Sequence, residues 1–339
     1  MRACVLHGKQ NLIVEDREEP TPQGSQVAVR LGAGTICGSD LHYFHHGKIG
    51  AFEMKEPFVL GHEVAGTVIA VGPAAKGIAV GTRVAVNPAL PCMACAECRS
   101  GRAHLCPNVR FFGSASRFPH IAGGFAEVFL AEASQCIPIA DHLPFTIAAM
   151  AEPLAVCLHA VRRAGDLLGK RVLITGAGPI GLITLVAARF SGAAHIAITD
   201  IADQPLAMAV RLGASQIVNV TNEQVTSEDF DVAIEASGAI PALTTCIYQV
   251  RRGGRVVQLG SLPMFANDSL KLPGIMSREV ELVGSFRFYE EYPLAVKLLE
   301  SGRIDLTPLL SATMPLHNAV EAFHLASDRT RAFKVSLVA

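Results

Sequence analysis

Residues 171–200 read RVLITGAGPIGLITLVAARFSGAAHIAITD. An apolar, β-branched run ends at Thr175, a glycine cluster follows, a second apolar run has the length of a helix, and another short strand closes on Asp200. The cluster Gly176-Ala177-Gly178-Pro179-Ile180-Gly181 therefore stands where a strand hands over to a helix, the context in which G-x-G-x-x-G binds a dinucleotide. Gly176 permits the tight turn, Gly178 lets the pyrophosphate approach the backbone, and Gly181 lets the helix pack close to the sheet. Pro179 suits a first helical turn, where its missing N–H costs little, and the helix N-terminus then faces the phosphates. Asp200 is expected to accept hydrogen bonds from the adenosine ribose and to repel a 2′-phosphate. No arginine follows it in Ile201-Ala202-Asp203-Gln204-Pro205, so NAD is the expected cofactor. The plain alternative for Asp200 is a helix N-cap.

Outward from this loop, short strands alternate with helical periods from about residue 141 to about 286. RVLIT, AHIAIT, QIVNV, DVAIEAS, RVVQLG and VELVGSF are the strands, with helical patterns at 179–191, 203–212 and 239–251. Six such strands with crossovers predict an α/β, doubly wound parallel sheet of Rossmann type. Upstream, to about residue 139, the pattern is β-rich and broken by Gly and Pro, as in RACVLH, NLIVED, SQVAVRL, EVAGTVIAVG, TRVAVN and FAEVFLA; it reads as a small, partly open barrel. Residues 43–57 have no strong period and are expected to be a loop. Helical patterns at 291–302 and 317–327 and a strand, AFKVSLV, finish the chain.

With 339 residues the chain has room for two domains, and 50% hydrophobic residues imply extensive packing. The run 172–188 carries no charge, but its central glycines and its length argue against a membrane span. A formal charge of −1 without a basic block lacks the footprint of a nucleic-acid binder. The first sixteen residues hold no apolar leader. With nine cysteines, four of them in metal-type spacing, this points to a reducing cytoplasm without disulfides.

Those four are Cys92, Cys95, Cys98 and Cys106, in PCMACAECRSGRAHLCPN. Their spacing matches a closed tetrahedral zinc site of structural type, in preference to an iron–sulfur cluster or two disulfides. A second donor set, Cys37 with His62 and Glu63, lies in glycine-bounded apolar sequence where a lone charge would be costly. A catalytic zinc has three protein donors of these types and one open position. Glu152, in the apolar run AAMAEPLAV, is a further acid that favours a metal partner over solvent, with a capping role before Pro153 as the alternative.

Cys37-Gly38-Ser39-Asp40, then Gly61-His62-Glu63, then Glu152-Pro153-Leu154 resemble the zinc-dependent medium-chain alcohol and polyol dehydrogenases of the sorbitol dehydrogenase branch, and the similarity spans the chain. His42-Tyr43-Phe44, RFFGSA at 110–115, GSFRF at 284–288 and PLLSA at 308–312 resemble the L-idonate 5-dehydrogenases within it. The resemblance implies a GroES-like catalytic domain over 1–147 and 288–339, with the zinc lobe at about 88–108, and a Rossmann domain over 148–287. It also implies two zinc ions per chain and a homodimer or homotetramer. Cys37, His62 and Glu63 would hold the catalytic zinc, with Glu152 in direct reach or one water away. Ser39 would take the alcohol proton and His42 would pass it on through the cofactor ribose. Ser39 as a turn residue and His42 as a surface imidazole are the plain alternatives. One departure is Pro205, where the branch usually carries an arginine near the adenosine.

The expected reaction is hydride transfer from the C5 alcohol of L-idonate to NAD, giving 5-keto-D-gluconate. A sorbitol- or xylitol-type polyol dehydrogenase, a threonine dehydrogenase and a non-catalytic nucleotide-binding protein are the alternatives. An aldonate needs a cation to meet its carboxylate. Arg287 is the first candidate, also near the cofactor, ahead of Lys48, Arg110 and Arg117; Tyr43 and Phe112 are expected substrate contacts. Phe288 replaces a tyrosine usual in sorbitol dehydrogenases.

Overall fold

In the computed structural model, which describes residues 1–226, 229–262 and 273–339, strands form where β-branched residues alternate and helices where apolar residues recur at helical spacing. The chain divides into two compact units, Met1–Glu152 with Tyr292–Ala339, and Pro153–Glu291.

The first unit is built on a seven-stranded sheet. Its order is Cys136–Pro138, Arg83–Val86, Glu63–Val71, Gln26–Thr35, Lys334–Val338, Leu310–Pro315, and Val128–Glu132 also pairs with Gln26–Thr35. The strands Asn11–Asp16, Arg2–Gly8 and Phe58–Val59 make a second, three-stranded sheet. Inward-facing Val27, Val29, Leu31, Val64, Val68, Val84, Val86, Val335 and Leu337 form the core with Phe125 and Phe323. Three strands of the larger sheet end together. Thr35 pairs with Glu63 on one side and with Ser336 on the other, so Thr35, Glu63 and Lys334 lie at one end of the sheet.

Residues 43–57, expected as a loop, instead begin inside the helix Gly38–His46, and Lys48–Ile49 pairs with Phe52–Glu53. Asp40 forms the helix start by accepting a hydrogen bond from the Cys37 N–H, and Gly47 ends it in the left-handed conformation. The helix is short and its sequence is rich in histidine, so no apolar period announced it.

The second unit is a six-stranded parallel sheet in the order Gln216–Asn219, His195–Asp200, Arg171–Thr175, Phe230–Glu235, Val250–Gln258, Glu281–Gly284. This is the doubly wound order, with its reversal beside Arg171–Thr175. The helices Pro179–Phe190, Asp203–Arg211 and Ile240–Gln249 occupy the expected crossovers. By length and composition Phe145–Ala164 is apolar enough to cross a membrane, yet 78% of that window is buried inside the protein, as in a core helix.

Candidate active site and metal centres

The first donor cluster is assembled by the helix start and two strand ends. Cys37 precedes the helix Gly38–His46, while His62 and Glu63 enter the strand Glu63–Val71 behind Gly61. Gly61 has a positive φ of 97°, and a Cβ there would overlap the Phe125 ring, so only glycine brings His62 in at this angle. One donor atom each from Cys37, His62 and Glu63 lie within 4.8 Å of one another.

Asp40 organises the cluster from behind. It is fully buried, and it accepts from the Gly61 N–H at 3.2 Å and from the Cys37 N–H at 3.0 Å, with its Oδ1 3.5 Å from His62 Nδ1. A carboxylate beside Nδ1 leaves Nε2 for a ligand, the arrangement that supports histidine at metal centres. Ser39 Oγ lies 3.3 Å from that Nε2.

Glu63 is buried against a partner that sequence reasoning missed. Both of its carboxylate oxygens lie 2.6 Å from Lys334 Nζ, and Thr35 donates its hydroxyl to one of them. Lys334 also donates to the Ile36 carbonyl. The only signal for it was a lysine inside the apolar strand AFKVSLV, where an unpaired ammonium would be costly.

Glu152, in the first turn of the helix Ala151–Ala164, is 5% exposed. Burial, partly opposed by His62, pushes its carboxyl up to about 7. No hydrogen bond holds that carboxyl among the described residues. His62 responds in the opposite sense: burial pushes it down, but Asp40 and Cys37 outweigh that and hold it well above its ordinary value. Cys37, His62 and Glu63 thus bring together the thiol, imidazole and carboxylate donor types that a zinc ion takes, with Lys334 compensating Glu63.

The second cluster consists of Cys92, Cys95, Cys98 and Cys106, whose sulfurs lie within 4.8 Å of one another. Cys106 Sγ is 3.5 Å from Cys92 Sγ and 3.8 Å from Cys95 Sγ. Four sulfurs each about 2.3 Å from a tetrahedral zinc stand about 3.8 Å apart, so the cage fits that ion. Backbone N–H groups of Cys92, Cys98 and Asn108 point at these sulfurs, as suits thiolates.

In the second unit Gly176 takes a positive φ of 92°, Gly178 is the N-cap and Pro179 the first residue of the helix Pro179–Phe190. A Cβ on Gly181 would overlap the Gly176 carbonyl. Asp200 accepts from Ala177 N–H at 2.7 Å and from the N–H groups of Ile201 and Ala202 at 2.8 and 3.1 Å, so it braces the glycine turn. Pro205 is buried within the helix Asp203–Arg211.

The expected substrate contacts have diverse settings. Tyr43 is 2% exposed, its hydroxyl accepting from the Ala115 N–H at 2.9 Å, and Phe112 packs edge-on against Phe129 in the core. Arg117 donates to the Pro107 and Val109 carbonyls and to Asn108 Oδ1, which ties it to the end of the cysteine lobe. Arg287 has a positive φ of 58° and stacks on the Phe286 ring at 4.6 Å.

The profile of the alcohol dehydrogenase GroES-like domain matches residues 23–141, and that of the zinc-binding dehydrogenases matches 179–301. Over 99% of its length the chain is 39% identical to the L-idonate 5-dehydrogenase (NAD(P)(+)) of Escherichia coli, covering 98% of that protein. The chain belongs to the zinc-dependent medium-chain alcohol and polyol dehydrogenases. It is an oxidoreductase of the NAD(P)-binding, zinc-binding kind, with a GroES-like domain and a Rossmann domain. The solved structure of the same E. coli enzyme superposes with a TM-score of 0.94, covering all of this chain and 98% of the other. Chicken (Gallus gallus) sorbitol dehydrogenase is 36% identical over 99% of this chain and 95% of its own. A structure from Sinorhizobium meliloti described as a zinc-binding dehydrogenase bound to NADP has a TM-score of 0.92 at 30% identity, covering 100% and 99% of the two chains.

Proposed function

We propose that the protein oxidises L-idonate at C5 to 5-keto-D-gluconate, reversibly, with NAD as hydride acceptor. The observation that carries the chemistry is the cluster of half-buried Cys37 with buried His62 and Glu63, and Ser39 on His62. The L-idonate name of the 39% identical relative supports the substrate.

Cys37, His62 and Glu63 would hold a catalytic zinc with Glu152 beside them, and Cys92, Cys95, Cys98 and Cys106 a structural one. When bound, the catalytic ion lowers the pKa of a substrate hydroxyl and NAD provides the hydride acceptor. Ser39 Oγ is the group to receive the hydroxyl proton, and His42, one turn further along the same helix, is the group to pass it on. Lys334 keeps Glu63 compensated, so two acids can share a buried site. Gly176, Gly178, Pro179, Ile180 and Gly181 cradle the pyrophosphate and Asp200 takes the ribose.

Arg287 is our choice for the aldonate carboxylate and for contact with the cofactor, because its planar fork can grip a carboxylate bidentately. Arg117 is committed elsewhere, which leaves Lys48 and Arg110 as weaker candidates. Tyr43 and Phe112 would then shape the pocket from the core. The edge strand Glu281–Gly284 carries exposed Leu282 near exposed Phe286, which supports a homodimer or homotetramer. Four cysteines gathered in a metal-type cage support a cytoplasmic setting.

The test is kcat/KM for L-idonate against sorbitol. A charge-assisted bond to the carboxylate, about 1.5–3 kcal/mol, predicts a preference for L-idonate of roughly 10- to 150-fold, lost in Arg287→Ala. Equal or better turnover of sorbitol would establish a general polyol dehydrogenase instead.

A further inference from the structure

The second half of the helix Gly38–His46 carries three imidazoles, His42, His45 and His46, of which the proposed relay uses one. His42 and His46 are four residues apart, on one face of the helix, and both are exposed. Their ring centroids lie 5.9 Å apart with the planes tilted by 42°. His45 is engaged elsewhere: its Nε2 shares a 2.7 Å hydrogen bond with Ser327 Oγ, and its ring meets Phe44 edge-on at 4.9 Å.

We propose that His42 and His46 together form a third metal site, inhibitory and separate from both zinc clusters, which takes a divalent transition ion such as Zn²⁺ between two imidazole nitrogens and water.

Imidazole nitrogens about 2.0–2.1 Å from a tetrahedral ion place the two ring centroids about 5 Å apart. The observed spacing is within about 1 Å of that, a change that small χ rotations of two exposed side chains supply. Spacing of i and i+4 is also what sets two histidines on one helix face in metal-binding H-E-x-x-H sequences. Imidazole is a good donor for zinc, copper and nickel alike.

An ion of this kind needs unprotonated rings. Burial first, and then His46, Arg329 and His45, hold His42 below its ordinary value; burial, His46, His324 and Lys9 act on His45 in the same sense. For His42 that shift favours the unprotonated ring a metal needs. The guanidinium of Arg329, beside His42, opposes the charge of the ion, so the site is weak and fills only when free metal is in excess. An ion on His42 takes a nitrogen lone pair from the proposed proton carrier, which makes binding inhibitory. That consequence rests on the proposed proton relay, whereas the binding does not.

Zn²⁺ titrated into zinc-loaded enzyme tests both parts. Equilibrium dialysis should find one more ion per chain on the wild type than on His46→Gln or His42→Gln. His46→Gln should keep the kcat measured without added zinc, and its half-inhibiting zinc concentration should rise by about tenfold or more. Equal uptake by wild type and both variants would overturn the site. Extra uptake without inhibition would overturn its inhibitory role and count against His42 as the relay.

Discussion

Lys334 and Glu63 are separated by most of the chain, yet they form an ion pair with both partners almost fully buried. Burial pushes Lys334 down, but Glu63 and Cys37 outweigh it and hold the ammonium above its ordinary value. Removing one partner leaves the other as a buried, uncompensated charge. Lys334→Met should therefore destabilise the first unit by about 3–5 kcal/mol, whereas Lys334→Met combined with Glu63→Gln should recover much of the loss, since no buried charge is then left unpaired. Urea unfolding of the two variants checks this. A single variant within about 1 kcal/mol of wild type would mean that the pair does not hold Glu63.

The glycine turn after Arg171–Thr175 and the strand His195–Asp200 work as one element, because Asp200 is hydrogen-bonded to Ala177 N–H across the turn. In the proposed function the carboxylate would have two tasks: bracing the turn that would receive the pyrophosphate, and placing negative charge where a 2′-phosphate would come. Asp200→Ala should raise KM for NAD and narrow the NAD:NADP ratio of kcat/KM by about tenfold or more, roughly 1.4 kcal/mol or more. Wild-type protein that favours NADP would show that Asp200 does not read the ribose. Pro205 cannot compensate, since it is buried in the helix after that strand.

Across the whole molecule the two proposed zinc sites differ in how closed they are. The four thiolates of Cys92, Cys95, Cys98 and Cys106 would enclose their ion fully, whereas the Cys37–His62–Glu63 site would keep a position open for substrate. Brief chelation should lower the zinc content from about two to about one per chain and abolish turnover, with far-UV circular dichroism unchanged. Simultaneous loss of both ions, or full turnover at one ion per chain, would contradict the assignment.

What was legible in the sequence is what depends on local order. The Gly176–Gly181 turn could be read because Thr175 and Pro179 flank it, and the cysteine cluster because its four thiols fall within fifteen residues; the structure puts the turn between strand and helix and brings the four sulfurs together. The central strands of the parallel sheet were equally plain, since each is paired on both sides, buried, and runs almost continuously apolar. The helix Gly38–His46 was not legible, because a short helix rich in histidine has no apolar period to detect. Nor was the role of Asp40, whose partners Gly61 and His62 are twenty-one and twenty-two residues away. Lys334 shows the limit most clearly. Sequence placed a lysine in an apolar strand, but its partner came from sheet order alone: the final strand inserts beside Gln26–Thr35, which is itself paired to Glu63–Val71. Non-local pairing of this kind is set by how the strands pack and register, and no window along the chain contains it.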